Sequence, residues 1–228
     1  MITIRKANQR GTSKMNWLNS QHTFSFADYH DSRFMRFGYL RVINEDVIQA
    51  SAGFPMHPHR DMEIITYVVE GALEHKDSLG NGSIIRPGEI QRMSAGAGVR
   101  HSEFNYSNSE ALHLLQIWIL PEKTGLMPSY EQKTITKTPN TWILIGAQAE
   151  HSNAVVIHQK LRLFVTYLES GHSLPCKMKH QGWLQVIKGE IELNDHPLQH
   201  GDGVGMIDET NMNITCLKDA ELLFFDME

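Results

Sequence analysis

Short apolar runs separated by turn residues dominate the chain. The run Ile64–Val69 is rich in β-branched and aromatic residues and ends at a Glu-Gly turn signal. A second run, Leu112–Leu120, is almost continuously apolar and closes at Pro121. Apolar residues at helical spacing do not persist over any long window. Closely spaced short strands with Gly, Asn and Pro turns therefore predict an all-β barrel or sandwich.

The second half of the chain repeats this pattern in outline. Trp183–Glu190 is again an apolar strand that runs into a glycine turn, and Glu221–Phe225 corresponds to the strand that begins at Leu112. Residues 122–141 contain Pro and Gly with many Lys, Thr and Glu, which is typical of a connection. We therefore predict two tandem β-barrels: an N-terminal metal-binding domain at 1–121, a connecting segment at 122–141 and a C-terminal domain at 142–228.

Composition limits the classes of function. The hydrophobic fraction of 41% and the charged fraction of 21% are ordinary for a globular protein. A net charge of -5 without a run of Lys or Arg predicts no direct nucleic-acid binding. Neither a secretory signal nor a stretch of 18 apolar residues is visible, so no membrane span is expected. Two cysteines, Cys176 and Cys216, cannot form a disulfide framework, and a cytoplasmic location is expected.

Two pairs of residues carry the candidate chemistry. His57 and His59 precede the strand at Ile64, and His101 and Glu103 repeat the same i, i+2 spacing. Residues i and i+2 of a strand point to the same face, so two pairs on neighbouring strands can converge inside one barrel. Three nitrogens and one carboxylate oxygen suit a borderline divalent metal: iron, copper, nickel, manganese or zinc. A lone His-x-His is usually surface histidine, and the second pair is what favours a metal site.

Several stretches resemble the pirin family of the cupin superfamily. They are Gly53–Gly71 (GFPMHPHRDMEIITYVVEG) and Ser94–Asn105 (SAGAGVRHSEFN), with the shorter His22–Phe26 and Leu40–Asn44. The likeness is strong over residues 16–121 and extends to the remainder only in its pattern. It implies a bicupin fold of the double-stranded β-helix or jelly-roll type, with one metal ion in the N-terminal barrel. Fe(II) is the ion expected first, and Cu, Mn, Ni, Co or Zn are the alternatives.

By the matching motif, the metal ligands are His57, His59, His101 and Glu103. Cupins in general often take the carboxylate from their first motif, where Glu63 stands in this chain. We favour Glu103, and Glu63 is the alternative. Counted from the corresponding glycine turns, the four ligand positions fall in the second half on Pro175, Lys177, Ile214 and Cys216. The C-terminal barrel is therefore predicted to lack metal ligands.

The other histidines are predicted to have structural or surface roles. His22 and His113 are expected to be hydrogen-bonded structural residues that lie at most near the pocket. Seven others are expected on the surface or in loops: His75, His151, His158, His172, His180, His196 and His200.

The resemblance also implies an activity. A metal ion that prefers octahedral coordination has six positions. If four are taken by protein ligands, two remain for a chelating substrate and dioxygen. Bacterial pirin-like proteins include quercetin 2,3-dioxygenases, so we expect an enzyme that opens the ring of a flavonol-like substrate with O₂ and releases carbon monoxide. Glu103 would double as the general base that takes the substrate's hydroxyl proton.

The alternative is a non-enzymatic, redox-sensitive metal-binding regulator that docks a protein partner. An open, mostly apolar pocket above the metal would favour the enzyme, whereas an exposed patch that depends on metal charge would favour the regulator. A purely structural zinc is disfavoured, since such sites are closed and commonly contain cysteine.

Overall fold

The computed structural model describes residues 1–228, and almost all of its regular structure is β. Its single helix is the three-residue 3₁₀ turn Ala7–Gln9, so no helix is long and apolar enough to cross a membrane. The predicted all-β class is confirmed. The chain forms two compact units, called here the N-terminal unit (Gly11–Ile135 with Ala149–Gln159) and the C-terminal unit (Met1–Arg10, Thr136–Gln148 and Lys160–Glu228).

The N-terminal unit contains two antiparallel sheets. In strand order they are β12-β9-β6-β11-β4-β3-β2 and β5-β10-β7-β8. The strands are β2 (Gly11–Lys14), β3 (Leu18–His22), β4 (Leu40–Ile48), β5 (Gly53–His59), β6 (Glu63–Glu70), β7 (Leu73–Asp77), β8 (Gly82–Ile85), β9 (Glu89–Ser94), β10 (Val99–Asn105), β11 (Leu112–Ile119), β12 (Ser129–Thr134) and the short β14 (Val155–Val156).

The C-terminal unit is built on the strand order β1-β19-β17-β20-β15-β13. In addition, β16 pairs with β20 and β18 pairs with β17. The strands are β1 (Ile2–Arg5), β13 (Ile143–Ala147), β15 (Leu161–Leu168), β16 (Ser173–Cys176), β17 (Gln181–Leu193), β18 (His196–Gln199), β19 (Gly203–Ile207) and β20 (Met212–Met227).

The two units differ from the predicted bounds of 1–121, 122–141 and 142–228 in three segments. Met1–Arg10 belongs to the C-terminal unit because β1 pairs with β19. Part of the predicted connection belongs to the N-terminal unit because β12 pairs with β9. Ala149–Gln159 also belongs to the N-terminal unit, where His158 bonds to Glu63. Strand pairing and hydrogen bonds between distant residues, rather than position along the chain, decide these memberships.

Apolar clusters lie on both sides of a polar layer inside the N-terminal unit. One cluster contains Val68 with Leu73, Leu112 and other buried residues, and the other contains Ile64 with Met93 and Val99. On β6, Thr66 lies between Ile64 and Val68 and points to the same face, since side chains alternate along a strand. Thr66 is fully buried. The polar layer at this level is where the candidate chemistry lies.

Candidate metal centre

Three predicted ligands, His57, His59 and His101, meet inside the N-terminal unit. Strand β5 pairs with β10 so that His57 stands opposite His101. The ring centroids lie 4.8 Å apart for His57 and His59, 4.5 Å for His57 and His101, and 4.9 Å for His59 and His101. The Nε2 atoms of His57 and His101 are 3.0 Å apart. Potential ligand atoms of all three residues lie within 4.8 Å of one another.

The backbone of β5 explains how these side chains reach one place. Strand β5 lies at the edge of its sheet, where Pro55 and Pro58 are tolerated although neither has a backbone N–H to donate. The pairing with β10 shifts between His101, opposite His57, and Glu103, opposite Phe54. This bulge lets Phe54 and His57 line the same pocket although their odd spacing would put them on opposite faces of a regular strand.

A glycine permits the close approach of β5 to β10. A Cβ atom on Gly53 would lie 2.2 Å from the carbonyl oxygen of Glu103 and 2.5 Å from the Cα of Phe104. Both are backbone atoms, which cannot move aside without displacing β10. Any other residue at this position would therefore push the two ligand-bearing strands apart.

The histidine protons are arranged as metal binding requires. The Nδ1–H of His57 donates to the carbonyl of Pro55 at 2.8 Å, which leaves Nε2 with its lone pair toward the cluster. Burial, followed by the neighbouring imidazoles, lowers the pKa of His59 to about 4 and that of His101 to about 3. These two rings are therefore neutral near pH 7, and the neutral imidazole is the form that binds a metal. The residues present fit a transition-metal ion.

The fourth predicted ligand, Glu103, is buried beside His101. Its Oε2 lies 3.8 Å from His101 Nε2. The amide Nε2 of Gln116 lies 2.9 Å from both carboxylate oxygens, and the Thr66 hydroxyl donates to Oε1 at 3.4 Å. Glu103 falls into a second group of potential ligands, with His101 and the unpredicted His75. The four-ligand set stays a prediction, with three of its members in one group and Glu103 joined to it through His101.

The alternative carboxylate, Glu63, is engaged elsewhere. Its Oε2 accepts hydrogen bonds from the backbone N–H of His158 at 3.2 Å and from the ring Nδ1 of the same residue at 3.1 Å. Glu63 is 1% exposed and belongs to neither group of potential ligands. The structure does not bring Glu63 to the histidines. His158 lies in a loop, as expected, and its bonds to Glu63 anchor Ala149–Gln159 to the N-terminal unit.

Other histidines follow or depart from their expected roles. His22 is buried and structural, since its Nδ1–H donates to Asn44 Oδ1 and its Nε2 accepts from the Ser13 hydroxyl, each at 2.8 Å. His113 pairs with Glu45. The expectation for His75 is wrong, because its side chain is 0% exposed and lies against His101. His75 and Asp77 repeat the i, i+2 spacing of the predicted pairs, and that signal was available in the sequence.

A pocket of about 250 Å³ opens over the candidate ligands. His57, His59, Glu103 and Gln116 form part of its lining. One part of its lining is apolar and comprises Met15, Leu18, Phe26, Phe54 and Trp118; another is polar and comprises Ser13, Ser20, His22, Asn44 and Asp46. The mixture is typical of a small-molecule site, in which apolar area gives binding energy and a few polar groups give orientation.

Asp46 is the most unusual group of this lining. Its side chain is buried and accepts a hydrogen bond from Ser20, while its Oδ1 has no hydrogen-bond partner. Burial, followed by the charges of Glu103 and Glu45, raises the pKa of Asp46 to about 7. Near neutral pH this carboxyl therefore holds a proton part of the time.

Comparisons with known proteins support the sequence resemblance. A model of the pirin family matches residues 3–119, and a model of the quercetinase C-terminal cupin domain matches residues 144–227. The chain is 45% identical to a quercetin 2,3-dioxygenase of Escherichia coli, with 100% of this chain and 99% of that protein covered. It is 41% identical to a putative quercetin 2,3-dioxygenase of Pasteurella multocida, with both chains covered completely. The crystal structure of the bacterial pirin YhhW from E. coli in complex with nickel(II) superposes with a TM-score of 0.95 at 44% identity and covers 100% of this chain and 99% of that one.

Proposed function

The chain belongs to the pirin family of cupin proteins, and from that premise we propose that it is a metal-dependent dioxygenase of the quercetin 2,3-dioxygenase type. The observation that carries the proposal is the cluster of His57, His59 and His101, two of whose members, His57 and His59, line a largely apolar pocket. A regulator that only docks a protein would not need such a pocket. The names of the relatives agree with this assignment.

We propose that the metal is held by the three histidines and Glu103. Three imidazole nitrogens and one carboxylate oxygen suit Fe(II), which we propose as the resident ion, and equally accept Cu, Mn, Ni, Co or Zn. The relative with bound nickel(II) shows that one member of the family takes a divalent ion. When bound, the metal would supply Lewis acidity toward a chelating hydroxy-keto substrate and electron exchange with dioxygen.

Glu103 is proposed to accept the hydroxyl proton as the substrate binds. A base must lie within hydrogen-bonding reach of the proton that it takes, and Glu103 lines the pocket beside His101. Gln116 donates to the carboxylate and Thr66 bonds to both Glu103 and Gln116, so the carboxylate is fixed in orientation. Preorganisation of this kind means that no rearrangement is needed when the substrate enters.

The apolar lining is proposed to hold the flat rings of a flavonol-like molecule. The rings of Phe26 and Trp118 meet edge to face at 5.5 Å and 84°, and the ring of Trp118 meets that of His59 at 4.9 Å and 82°. Flat aromatic walls bind planar aromatic molecules with good contact area. They also exclude water from the reacting atoms.

Oxygen uptake with quercetin tests the proposal. The full chain is stripped of metal and reloaded separately with iron, copper, manganese and nickel, and the metal content is measured before each assay. We expect uptake that depends on the metal and that disappears in His101→Ala. His172→Ala, at an exposed position of the C-terminal unit, is the matched control and should retain activity.

A negative result has a definite meaning. If protein that holds one ion per chain takes up no oxygen with any of the four metals, the quercetinase assignment fails. The same result would favour the binding-protein alternative, in which the redox state of the ion changes a surface rather than a substrate.

A further inference from the structure

His75 and Asp77 form a buried pair directly behind the predicted metal ligands. Strand β7 pairs with β10 so that Asp77 stands opposite His101 and His75 stands opposite Glu103. Both side chains of the pair are 0% exposed, and His75 Nε2 lies 3.1 Å from Asp77 Oδ2. Burying two such groups is costly unless their hydrogen bonds are satisfied. The burial of this pair therefore indicates that it has a role in the site.

The hydrogen bonds of Asp77 determine which nitrogen of His75 carries the proton. Asp77 Oδ1 accepts from the backbone N–H groups of Leu79 and Asn81 at 2.9 and 3.0 Å, and the amide of Asn81 bonds to Oδ2 at 2.9 Å. A carboxyl surrounded by donors is an acceptor, so His75 donates to it through Nε2–H. The other nitrogen of a neutral His75, Nδ1, therefore has a lone pair. This Nδ1 is buried and has no hydrogen-bond partner.

The proton of His101 is determined in the same way once a cation is bound. Its Nε2 faces His57 Nε2, so a metal at the cluster binds through that atom. The one proton of the neutral ring must then be on Nδ1, and Nδ1 of His101 is also buried without a partner. The ring centroids of His75 and His101 are only 5.4 Å apart. One buried acceptor and one buried donor thus lie on adjacent rings.

We propose that His75, oriented by Asp77, is the positioning residue that receives the Nδ1–H of His101 and so fixes this metal ligand, an inference that rests on the ligand set of the proposed function. The hydrogen bond is direct after a small ring rotation or passes through one water molecule, since a buried polar site between two such groups suits a bridging water. The result is a chain of hydrogen bonds from the metal ligand His101 to His75 and on to the Asp77 carboxylate. Support of this kind orients a ligating imidazole and raises its basicity.

The surroundings of His75 hold its ring in this orientation. The Tyr130 ring lies 5.0 Å from the His75 ring at an angle of 33°. The Tyr130 hydroxyl is itself bonded to Ser83 and donates to Gln132 Oε1 at 2.9 Å. A ring that is packed on one face and bonded at one nitrogen is limited to small rotations, such as the one that a direct bond to His101 requires.

The C-terminal unit has no such pair at the corresponding pairing positions. There, the residues opposite Ile214 and Cys216 are Leu193 and Ile191. All four are buried in one apolar cluster. The unit whose strands carry apolar residues in place of the ligands thus also carries apolar residues in place of His75 and Asp77.

Metal affinity, measured without any turnover, tests the proposal. The full chain is titrated with Co(II) and Zn(II) against a chelator, and the visible spectrum of the Co(II) form is recorded. We expect His75→Leu and Asp77→Asn each to weaken binding by about 10–100-fold and to change the Co(II) spectrum. His75→Gln should recover part of the loss, because its amide can donate to Asp77 and accept from His101.

The matched control is His113→Leu, which removes the histidine of another His–carboxylate pair in the same unit, bonded to Glu45 at 2.9 Å. This control should bind as the wild type does. Equal affinity in His75→Leu and His113→Leu would overturn the proposal, as would a Gln variant no better than Leu. Wild-type affinity in His101→Ala would instead show that the ligand set of the proposed function is wrong.

A second measurement needs no substitution and so does not depend on a variant folding. Nitrogen NMR of the histidine rings in the Zn(II)-loaded protein should show His101 protonated at Nδ1 and His75 protonated at Nε2. The opposite tautomer at His75 would overturn the proposal, because its Nδ1 could then accept nothing from His101.

Discussion

The two units place opposite chemistry on equivalent strand pairs. In the N-terminal unit β10 and β5 bring His101 opposite His57, whereas in the C-terminal unit β20 and β16 bring Ile214 opposite Leu174. Ile214 and Leu174 are buried in one apolar cluster, which stabilises the fold by removing apolar surface from water. The histidines instead bring potential ligand nitrogens within 4.8 Å of one another. The same pairing therefore serves stability in one unit and ligand binding in the other.

The largest expected effect is the loss of metal binding in His101→Ala. The substitution removes the one residue that belongs to both groups of potential ligands. We expect the affinity for Co(II) or Zn(II) to fall by more than the 10–100-fold typical of supporting residues, while the thermal stability of the metal-free protein changes little. Chelator competition and a melting curve check both parts. A marked loss of stability in the metal-free protein would mean that the histidine cluster stabilises the fold as core residues do.

Ile214→Ala should give the reverse pattern. A buried Ile truncated to Ala costs about 2–5 kcal/mol of stability through lost burial and the cavity left behind. The residue is 0% exposed within the apolar cluster of the C-terminal unit. We expect denaturant unfolding at a lower midpoint and an unchanged metal affinity. A drop in affinity as large as that of His101→Ala would contradict the division of roles between the two units.

Asp46→Asn tests how much stability the N-terminal unit loses by burying a polar group. In the unfolded chain this carboxyl ionises near pH ~4, whereas in the folded unit burial keeps its pKa at about 7. Between these values the folded state binds more protons, so this group makes the protein less stable as the pH rises, with no further change above pH ~7. We expect the metal-free Asn variant to match the wild type near pH ~4 and to exceed it by roughly 1–3 kcal/mol at pH ~8.

Melting temperatures of both metal-free proteins across this pH range provide the measurement. Ser20→Ala is a useful companion, since it removes the hydrogen bond that favours the ionised form of Asp46. An Asn variant that is less stable than the wild type at the alkaline end would show that the Asp46 charge is compensated in the folded state.

The smallest expected effect concerns the two thiols of the C-terminal unit. Cys176 and Cys216 are 2% and 1% exposed, and burial raises the pKa of Cys176 to about 12 and also raises that of Cys216. The reactive thiolate is therefore scarce at pH ~8. A thiol reagent should label neither residue until the unit opens, and both in denaturant. Labelling of the native protein at the rate of a free cysteine would show that this interior is loosely packed.

Much of the fold and the core of the site could be predicted from sequence. Alternating strands, glycine turns and the internal repeat identified the all-β class, and the two i, i+2 pairs identified residues that the structure brings into adjoining groups. Local patterns suffice here because strand alternation is a local property. The pirin resemblance added the assignment of the pairs to one metal.

The remainder depends on contacts between distant positions. The role of His75 depends on the pairing of β7 with β10. The hydrogen bond from Gln116 to Glu103 depends on two sheets that face each other. Glu63, the alternative carboxylate, bonds to His158, which is 95 positions away from it. No periodicity in the sequence reports a partner at such a distance.

The placement of Ala149–Gln159 has a consequence for how the protein is made. Translation proceeds at about 5–20 residues per second, so Glu63 leaves the ribosome roughly 5–20 seconds before His158 is available to it. Through that interval the nascent N-terminal unit lacks both this hydrogen-bond partner and the N–H of Val156 that donates to Glu131. Its folding therefore finishes only when much of the C-terminal unit is about to be synthesised. A fragment that ends at residue 121 would never form these contacts.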